Sequence, residues 1–150
     1  MRNKGIEIKI DRLINSIINV FTGDIFDTEI EEVSKKDIKL LKSNWNFDWI
    51  KEYHLTEVYK LTIKNNPNII QGLIGLIEIY DNIRVNLVEN ASFNIGKNKI
   101  YEGVAGNLFA FACKVSFERG HEGNISFISK SNLISHYEET IGAKRIGNTQ

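Results

Sequence analysis

The sequence is poor in the residues that mark several common classes of small protein: its 150 residues include one proline, one cysteine and one methionine. A lone cysteine, Cys113, cannot form an internal disulfide, which excludes a disulfide-stapled scaffold and favours a reducing, cytoplasmic setting. No Pro/Gly-rich tract, repeat or low-complexity stretch divides the chain. We therefore predict one globular domain over residues 1–150.

Net charge and long apolar runs are also absent. Nineteen basic residues balance nineteen acidic ones, so the chain has no overall field that would attract nucleic acid or an anionic membrane. No apolar stretch is long enough to span a bilayer. His54, His121 and His136 lack metal-ligand spacing and have no cysteine partners. We accordingly expect no nucleic-acid partner, no membrane partner and no metal.

The N-terminus, by contrast, carries a clear amphipathic pattern. Its apolar residues recur at helical spacing, namely Leu13, Ile14, Ile17, Ile18 and Phe21. This spacing predicts a helix that packs one face on the domain. We take residues 1–22 as an N-terminal helical extension.

The remainder of the chain alternates between patterns typical of strands and of helices. Ser34 followed by Asp37 indicates a helix N-cap, and short alternating runs joined by tight turns predict an antiparallel meander. The predicted elements are a strand at 25–33, a helix from Ser34, a short helix within 44–54, meander strands at 56–65, 69–80 and 83–92, a helix at 103–120, a strand at 124–129 and a helix at 131–142. They predict an α/β fold of the α+β type, with a mixed, mostly antiparallel sheet flanked by helices.

Small residues collect where the helix at 103–120 begins. Gly103, Ala105 and Gly106 would let a pyrophosphate approach the first backbone N–H groups, which have no internal partner and lie at the positive end of the helix dipole. Close packing of the helix on a sheet would require the same small residues, and the motif alone leaves both interpretations open. The Lys-Ser/Thr of a P-loop and the early position of a Rossmann fingerprint are both missing.

Two stretches resemble the acetyl-CoA motifs of the GNAT N-acetyltransferases. The stretch 100–105, IYEGVA, ends in the G-x-[GA] of the family's [QR]-x-x-G-x-[GA] pattern, with Ile100 at the position of the usual Arg or Gln. The stretch 137–143, YEETIGA, resembles, with one extra residue, the Tyr-Glu-Lys-Leu-Gly-Phe run of the family's following helix. The resemblance covers residues 29–145. Within the superfamily, these stretches look like a subgroup of bacterial proteins.

The resemblance implies a GNAT-like domain that moves an acetyl group from acetyl-CoA, as co-substrate, to a primary amine of a small molecule or peptide. Tyr137 would donate a proton to the departing thiolate. Alkyl amines are mostly protonated near neutral pH, so a carboxylate must take a proton; Glu89 is the first candidate for this base and Glu78 the second. The implied cofactor-binding residues are Leu87, Val88, Glu89, Tyr101, Glu102, Gly103, Val104, Ala105, Gly106, Asn107, Lys130 and Tyr137.

A second function stays open, a non-catalytic CoA-binding or partner-binding regulatory module. Ile100 and Lys130 both depart from the family's pattern, since an Asn is frequent at the second position. Low solvent access at Glu89 would favour the module, whereas an open channel beside its strand would favour the enzyme. GNAT domains usually close with a hairpin of two further strands, and few residues follow Gly142. Three alternatives are open: the last strand is missing, a neighbouring chain supplies it in a homodimer, or the sequence is truncated. The aromatic residues within 45–49 either border an acceptor pocket or pack in the core.

Overall fold

The protein is described here by a computed structural model, which covers residues 16–127. Their core element is a seven-stranded sheet in the order β6-β1-β2-β3-β4-β5-β7. The strands are β1 (Ser16–Asn19), β2 (Ile25–Glu32), β3 (Glu57–Ile63), β4 (Asn66–Ile79), β5 (Asn82–Asn90), β6 (Tyr101–Glu102) and β7 (Ile125–Phe127). The helices are α1 (Trp49–Leu55) and α2 (Val104–Glu118), with 3₁₀ helices at Lys35–Leu41 and Ser92–Asn94.

The sheet is mixed and mostly antiparallel, which confirms the predicted α+β class. Every described pair of neighbouring strands is antiparallel except β5 and β7, which run parallel and pair from Ile83↔Ile125 to Val85↔Phe127. The strand–helix–strand order of the second half of the described chain matches the prediction, and α2 begins directly after Gly103. The helix predicted at 131–142 lies outside the described residues.

The predicted N-terminal helix is wrong over Ser16–Asn19, which form β1. This strand pairs with β2 on one side and with β6 on the other. Ile17 is 1% exposed, whereas its neighbour Ile18 is 44% exposed, as expected for successive strand residues that point to opposite faces. A short run of isoleucines fits both a helical and an alternating pattern, and β-branched residues favour the strand when partners are available. Residues 20–22 of the predicted extension form a turn, and residues 1–15 lie outside the described part of the chain.

The meander is confirmed, with its first turn displaced. The chain turns at Lys64 and Asn65, and Asn65 adopts a positive φ of 72°. The predicted strands at 56–65 and 69–80 place this turn at 66–68, but β4 already begins at Asn66. Asparagine tolerates the left-handed conformation better than most residues, so the turn forms at the first asparagine of the run.

The sheet is covered on both faces, by α2 on one and by α1 with the Lys35–Leu41 helix on the other. We call these the α2 face and the α1 face. The buried core of the α2 face includes Ile17, Leu61, Ile74, Ile83, Val88, Val104, Leu108 and Ala112. That of the α1 face includes Val33, Leu41, Trp49, Val58, Ile70, Leu73 and Leu87.

A β-bulge interrupts the pairing of β5 with β4. Gly75 is opposite Leu87 and Leu76 is opposite Val85, so Asn86 is an extra residue on β5 without a partner in the register. Bulges bend a strand and re-aim its side chains, and they are frequent beside active sites. The bulge comes one residue after the described pairing of β5 with β7 ends.

Helix α2 crosses the sheet from the carboxyl end of β5 to the start of β7. Its first turn packs on Gly72, where an added Cβ would lie 2.6 Å from Val104 Cγ1 and 3.1 Å from Leu108 Cδ1. Beyond its last turn, Arg119 donates hydrogen bonds to Glu57 and Glu78 near the opposite ends of β3 and β4. No helix among residues 16–127 is both long and apolar enough to cross a membrane.

We expect Gly72→Ala to lower the free energy of unfolding by about 1–3 kcal/mol, because the new methyl group overpacks the contact between β4 and α2. For a domain of this size that loss corresponds to a fall of roughly 2–10 °C in the melting temperature. The matched test is the double variant Gly72→Ala/Val104→Ala, in which the second change removes the methyl groups that the first one meets. Its measured loss should be smaller than the sum of the two single losses; additive losses would contradict the close contact.

Candidate functional site

The N-terminus of α2 lies beside β1 and opens at Gly103. This residue is exposed and has a φ of 101°, a conformation that side-chain-bearing residues rarely adopt. The buried Asn107 amide, one turn into the helix, donates to the Gly103 carbonyl at 2.6 Å and to the Ser16 carbonyl at 2.8 Å. The helix start is therefore tied to β1, and the Asn107 Oδ1 atom has no hydrogen-bond partner among the described residues.

Some small residues of this segment fit close packing of the helix, and others fit an open phosphate site. Ala105 and Gly106 are buried, as close packing of the helix requires. Gly103 and Glu102 are exposed, which leaves the entrance to the first helical turn open to solvent. Tyr101, just before them, is half-buried, and its ring packs edge-on against Phe26 at 5.8 Å. The fold thus places a glycine-led helix start at the carboxyl end of β5, where α/β sheets commonly bind ligands.

Three of the predicted cofactor-binding residues, which would contact the pantetheine arm of acetyl-CoA, lie at the carboxyl end of β5. Leu87, Val88 and Glu89 are all buried and pair with Gly75, Ile74 and Leu73 of β4. Their described pairing is with β4 alone, because the parallel ladder to β7 is described only as far as Val85. The structure brings these residues and the start of α2 to the same end of β5. Lys130 and Tyr137, the two remaining predicted site residues, lie outside the described part of the chain.

Glu89 is an anchor in this structure. Its side chain is on the α1 face, where Oε1 accepts hydrogen bonds from the Trp49 indole at 2.8 Å and the Phe47 backbone N–H at 3.1 Å, and Oε2 accepts one from the Asn46 backbone N–H at 2.7 Å. The residue is 7% exposed. Its role as general base stays a prediction. Both oxygens already accept hydrogen bonds, however, and this geometry favours a structural role in which the carboxylate holds the 46–49 segment against β5.

Trp49, bonded to Glu89, is fully buried and belongs to the core. Trp45 is half-buried and donates from its indole to the Leu40 carbonyl at 3.0 Å. It lines a small hollow of about 250 Å³ together with Ile69, Ile70 and the chain after β5. The aromatic segment therefore contributes both to the core and to a surface hollow.

Sequence patterns did not single out a second buried carboxylate, Glu52 of α1. It is 6% exposed, and its Oε2 accepts hydrogen bonds from Asn86 Nδ2 at 2.7 Å and from Thr56 Oγ1 at 3.2 Å. An added Cβ on Gly75 would lie 2.8 Å from Thr56 Oγ1 and 3.0 Å from Glu52 Oε2, so glycine leaves room for this cluster. The signal for it in the sequence was Gly75, one of two glycines in the otherwise bulky β4.

A third buried carboxylate, Asp37, forms an ion pair with Lys60 at 3.0 Å on the α1 face, and both side chains are buried. Its other oxygen accepts from the backbone N–H and the hydroxyl of Ser34. Burial raises the pKa of the Asp37 carboxyl, but the Ser34 N–H and the Lys60 ammonium together outweigh it, so the pKa lies below its ordinary value of 3.8. The pair lies at a cleft of about 650 Å³ between the Lys35–Leu41 helix and the sheet.

Glu78, the second candidate base, is at the opposite end of the sheet from Gly103. It pairs with Arg119 at 3.3 Å and with His121 at 2.7 Å, and hydrogen bonds from His121 and Arg119 lower the pKa of its carboxyl. Glu57 joins this cluster through Arg119, and burial together with Glu57 raises the pKa of Tyr59 to about 12. The cluster lies at the C-terminal end of α2, which separates Glu78 from the predicted cofactor residues.

Cys113 is partly buried, and burial raises its pKa to about 11, so it is a protonated thiol near neutral pH. Within 16–127, no group of three or more His, Cys, Asp or Glu side chains is arranged to hold a metal ion.

The depressed pKa of Asp37 predicts a contribution to stability that is present above about pH 4 and is lost as the pH falls through the lower folded-state pKa, because the unfolded state then binds more protons. We expect the double variant Asp37→Asn/Lys60→Met to lose less free energy of unfolding than the wild type between about pH 5 and about pH 3. The single variant Asp37→Asn leaves a buried ammonium unpaired and should cost about 3–5 kcal/mol at neutral pH. Equal acid dependence of the wild type and the double variant would contradict this assignment.

The anchoring role of Glu89 predicts that Glu89→Gln lowers the free energy of unfolding by about 2–4 kcal/mol, because three donors lose a charged acceptor. Urea unfolding followed by tryptophan fluorescence measures the loss. Glu118→Gln, at an exposed position on α2, is the matched control and should change stability by less than about 0.5 kcal/mol. Similar values for the two variants would show that the carboxylate is not an anchor.

Comparison with known proteins gives little beyond this geometry. No family model and no curated protein matches the sequence. Among solved structures, the chain is similar to L-PGS from Bacillus licheniformis, with 12% sequence identity, a TM-score of 0.42, and coverage of 91% of this chain and 55% of that one. The chain thus spans about half the length of that protein, and a likeness at this level carries no argument about function.

Proposed function

We propose that the chain is a cytoplasmic GNAT-like N-acetyltransferase that binds acetyl-CoA at the carboxyl end of β5 and transfers the acetyl group to a primary amine. One observation carries the proposal: α2 starts at an exposed glycine with a positive φ, at the carboxyl end of β5, and leads to a parallel neighbouring strand. A helix start in this position offers free N–H groups and a positive dipole to a phosphate.

The residues at this end of the molecule fit the group that the proposal requires. The first turn of α2 offers backbone N–H donors at Gly103 to Gly106, and Lys97 and Lys99 are exposed or half-buried in the loop before it. Lys99 is paired with Glu102 at 3.3 Å on the surface, a contact that water and an incoming anion readily replace. These groups would hold the pyrophosphate of acetyl-CoA. The backbone of β5 would bind the pantetheine arm, which joins the pyrophosphate to the acetyl thioester.

The register of β5 supports the path of that arm. From the start of α2, an extended chain that follows β5 toward its amino end passes Glu89, Val88 and Leu87 in turn and then meets the bulge at Asn86. A bulge leaves one residue of the strand outside the ladder, so backbone groups are available to a bound substrate there. The reacting thioester would accordingly lie at Asn86.

A non-catalytic CoA-binding or partner-binding module remains the second candidate, and one observation favours it. Glu89 is buried, and its two oxygens accept three hydrogen bonds from the 46–49 segment. If no other carboxylate serves as base, a domain of this kind would bind the cofactor without transferring the acetyl group.

Calorimetric titration with acetyl-CoA tests cofactor binding, which the enzyme and a CoA-binding module would share. We expect binding in the micromolar range, weakened at least about tenfold, or 1.4 kcal/mol, in Lys97→Glu/Lys99→Glu, because the reversed charges oppose the pyrophosphate. These two lysines are better targets than Gly103, where the φ of 101° would strain any other residue whatever the ligand does.

The matched control is Lys51→Glu/Lys64→Glu, which changes the net charge equally at exposed positions on α1 and on the β3–β4 turn. Acetyl-CoA affinity should be unchanged in that variant. A folded wild-type protein that does not bind acetyl-CoA would refute the proposal. Binding without acetyl transfer to any amine of a broad acceptor panel would leave the second candidate.

A further inference from the structure

We infer that Glu52, and not Glu89, is the general base of the proposed acetyl transfer. The inference rests on the proposed function, because it assigns a role at the same site. It starts from the bulge, where the extra residue Asn86 directs its side-chain amide to Glu52 Oε2 at 2.7 Å. The carboxylate is therefore one side chain away from the point that the acetyl group would reach along β5.

The hydrogen bonds of Glu52 differ in kind from those of the other buried carboxylates. Asp37 is paired with an ammonium, and Glu89 accepts three N–H donors through both of its oxygens. Glu52 has only neutral partners, the Asn86 amide and the Thr56 hydroxyl, and both bind the same oxygen. Its Oε1 makes no side-chain hydrogen bond within residues 16–127, so one oxygen is held and the other is available to a proton.

The surroundings of Glu52 keep it in place, and although the carboxylate itself is buried, its two hydrogen-bond partners lie nearer to solvent. Asn86 and Thr56 are half-buried, so the cluster reaches the surface beside the bulge. Gly75 opposite lacks the Cβ that would displace Thr56 and Glu52. Helix α1, which carries the carboxylate, is fixed at its start by Asp48, whose side chain accepts from the Lys51 N–H at 3.1 Å. A base held by a short helix and a strand keeps the orientation that proton transfer requires.

The step balances without a further reactant. The substrate ammonium gives one proton to Glu52, and the freed nitrogen lone pair forms a bond to the thioester carbonyl carbon. The carbon–sulfur bond then breaks, the electron pair leaves on sulfur, and the remaining excess proton on nitrogen is transferred to that sulfur. The products are an N-acetyl amide and the free thiol of CoA, and Glu52 returns its proton to water.

Glu52→Gln tests the assignment, because glutamine preserves the shape and an oxygen acceptor for Asn86 and Thr56 but cannot take up the proton. With the best alkyl amine of the acceptor panel, we expect kcat to fall by about 10²–10⁴-fold, while the affinity for acetyl-CoA changes less than about twofold. With methoxyamine, a weakly basic acceptor that is already neutral at pH 7, the fall should be less than about tenfold, since no base is needed. Glu52→Asp should retain part of the activity.

Two controls separate a base from a structural carboxylate. Thr56→Val removes a hydrogen bond to Glu52 but keeps the carboxylate, and it should leave the ratio of the two acceptor rates near that of the wild type. Circular dichroism and the melting temperature show whether each variant is folded. A folded Glu52→Gln protein with full activity, or with equal losses for both acceptors, would overturn the inference and leave the proposed function intact. Acetyl-CoA binding without transfer in the wild type would also overturn it, and absence of binding would overturn the proposed function itself.

Discussion

The carboxylate of Glu89 is the contact on which the arrangement of the α1 face depends. Its three hydrogen bonds hold residues 46–49 against β5, and α1 begins at the last of these residues. Burying a carboxylate is costly unless N–H donors replace its water, and the indole and two backbone groups do so. Because α1 starts at this anchor, Glu52 reaches β5 one turn later, next to the bulge. A residue first considered for chemistry thus positions the helix that carries another carboxylate.

The two ends of the sheet have different electrostatic characters. At the end where α2 begins, the described structure offers backbone N–H groups together with the exposed Lys97 and the half-buried Lys99. At the end where α2 stops, Arg119 and His121 are bound to Glu57 and Glu78, and these charges are used within the protein. Of these two ends, as far as residues 16–127 describe them, the one where α2 begins favours an anion, which agrees with the direction of the helix dipole.

The class of fold and much of its element order could be predicted, because they follow from local periodicity and turn residues. The meander, α2 and the start of α2 at Gly103 were all predicted from such patterns. The strand at Ser16–Asn19 could not be, because its partners β2 and β6 decide its conformation and β6 lies far away in sequence. Asn86 and Glu52 were missed for the same reason. A bulge is a relation between two strands, and the contact between α1 and β5 is a tertiary one, so neither leaves a periodic signal in the sequence.

The pairing of β1 with β6 has a consequence for how the chain folds. Ile18 and Glu102 are partners in the sheet, but the whole meander lies between them in sequence. Closing so long a segment costs chain entropy before the contact gives any return, so this pair belongs to the late events of folding, after the local hairpins of β3, β4 and β5. Asn107, which bonds to the carbonyl of Ser16, joins the helix start to the same late-forming strand. The N-terminus of α2 would then acquire its final geometry only in the last stage of folding, and it would also be among the first parts to open when the native state loosens.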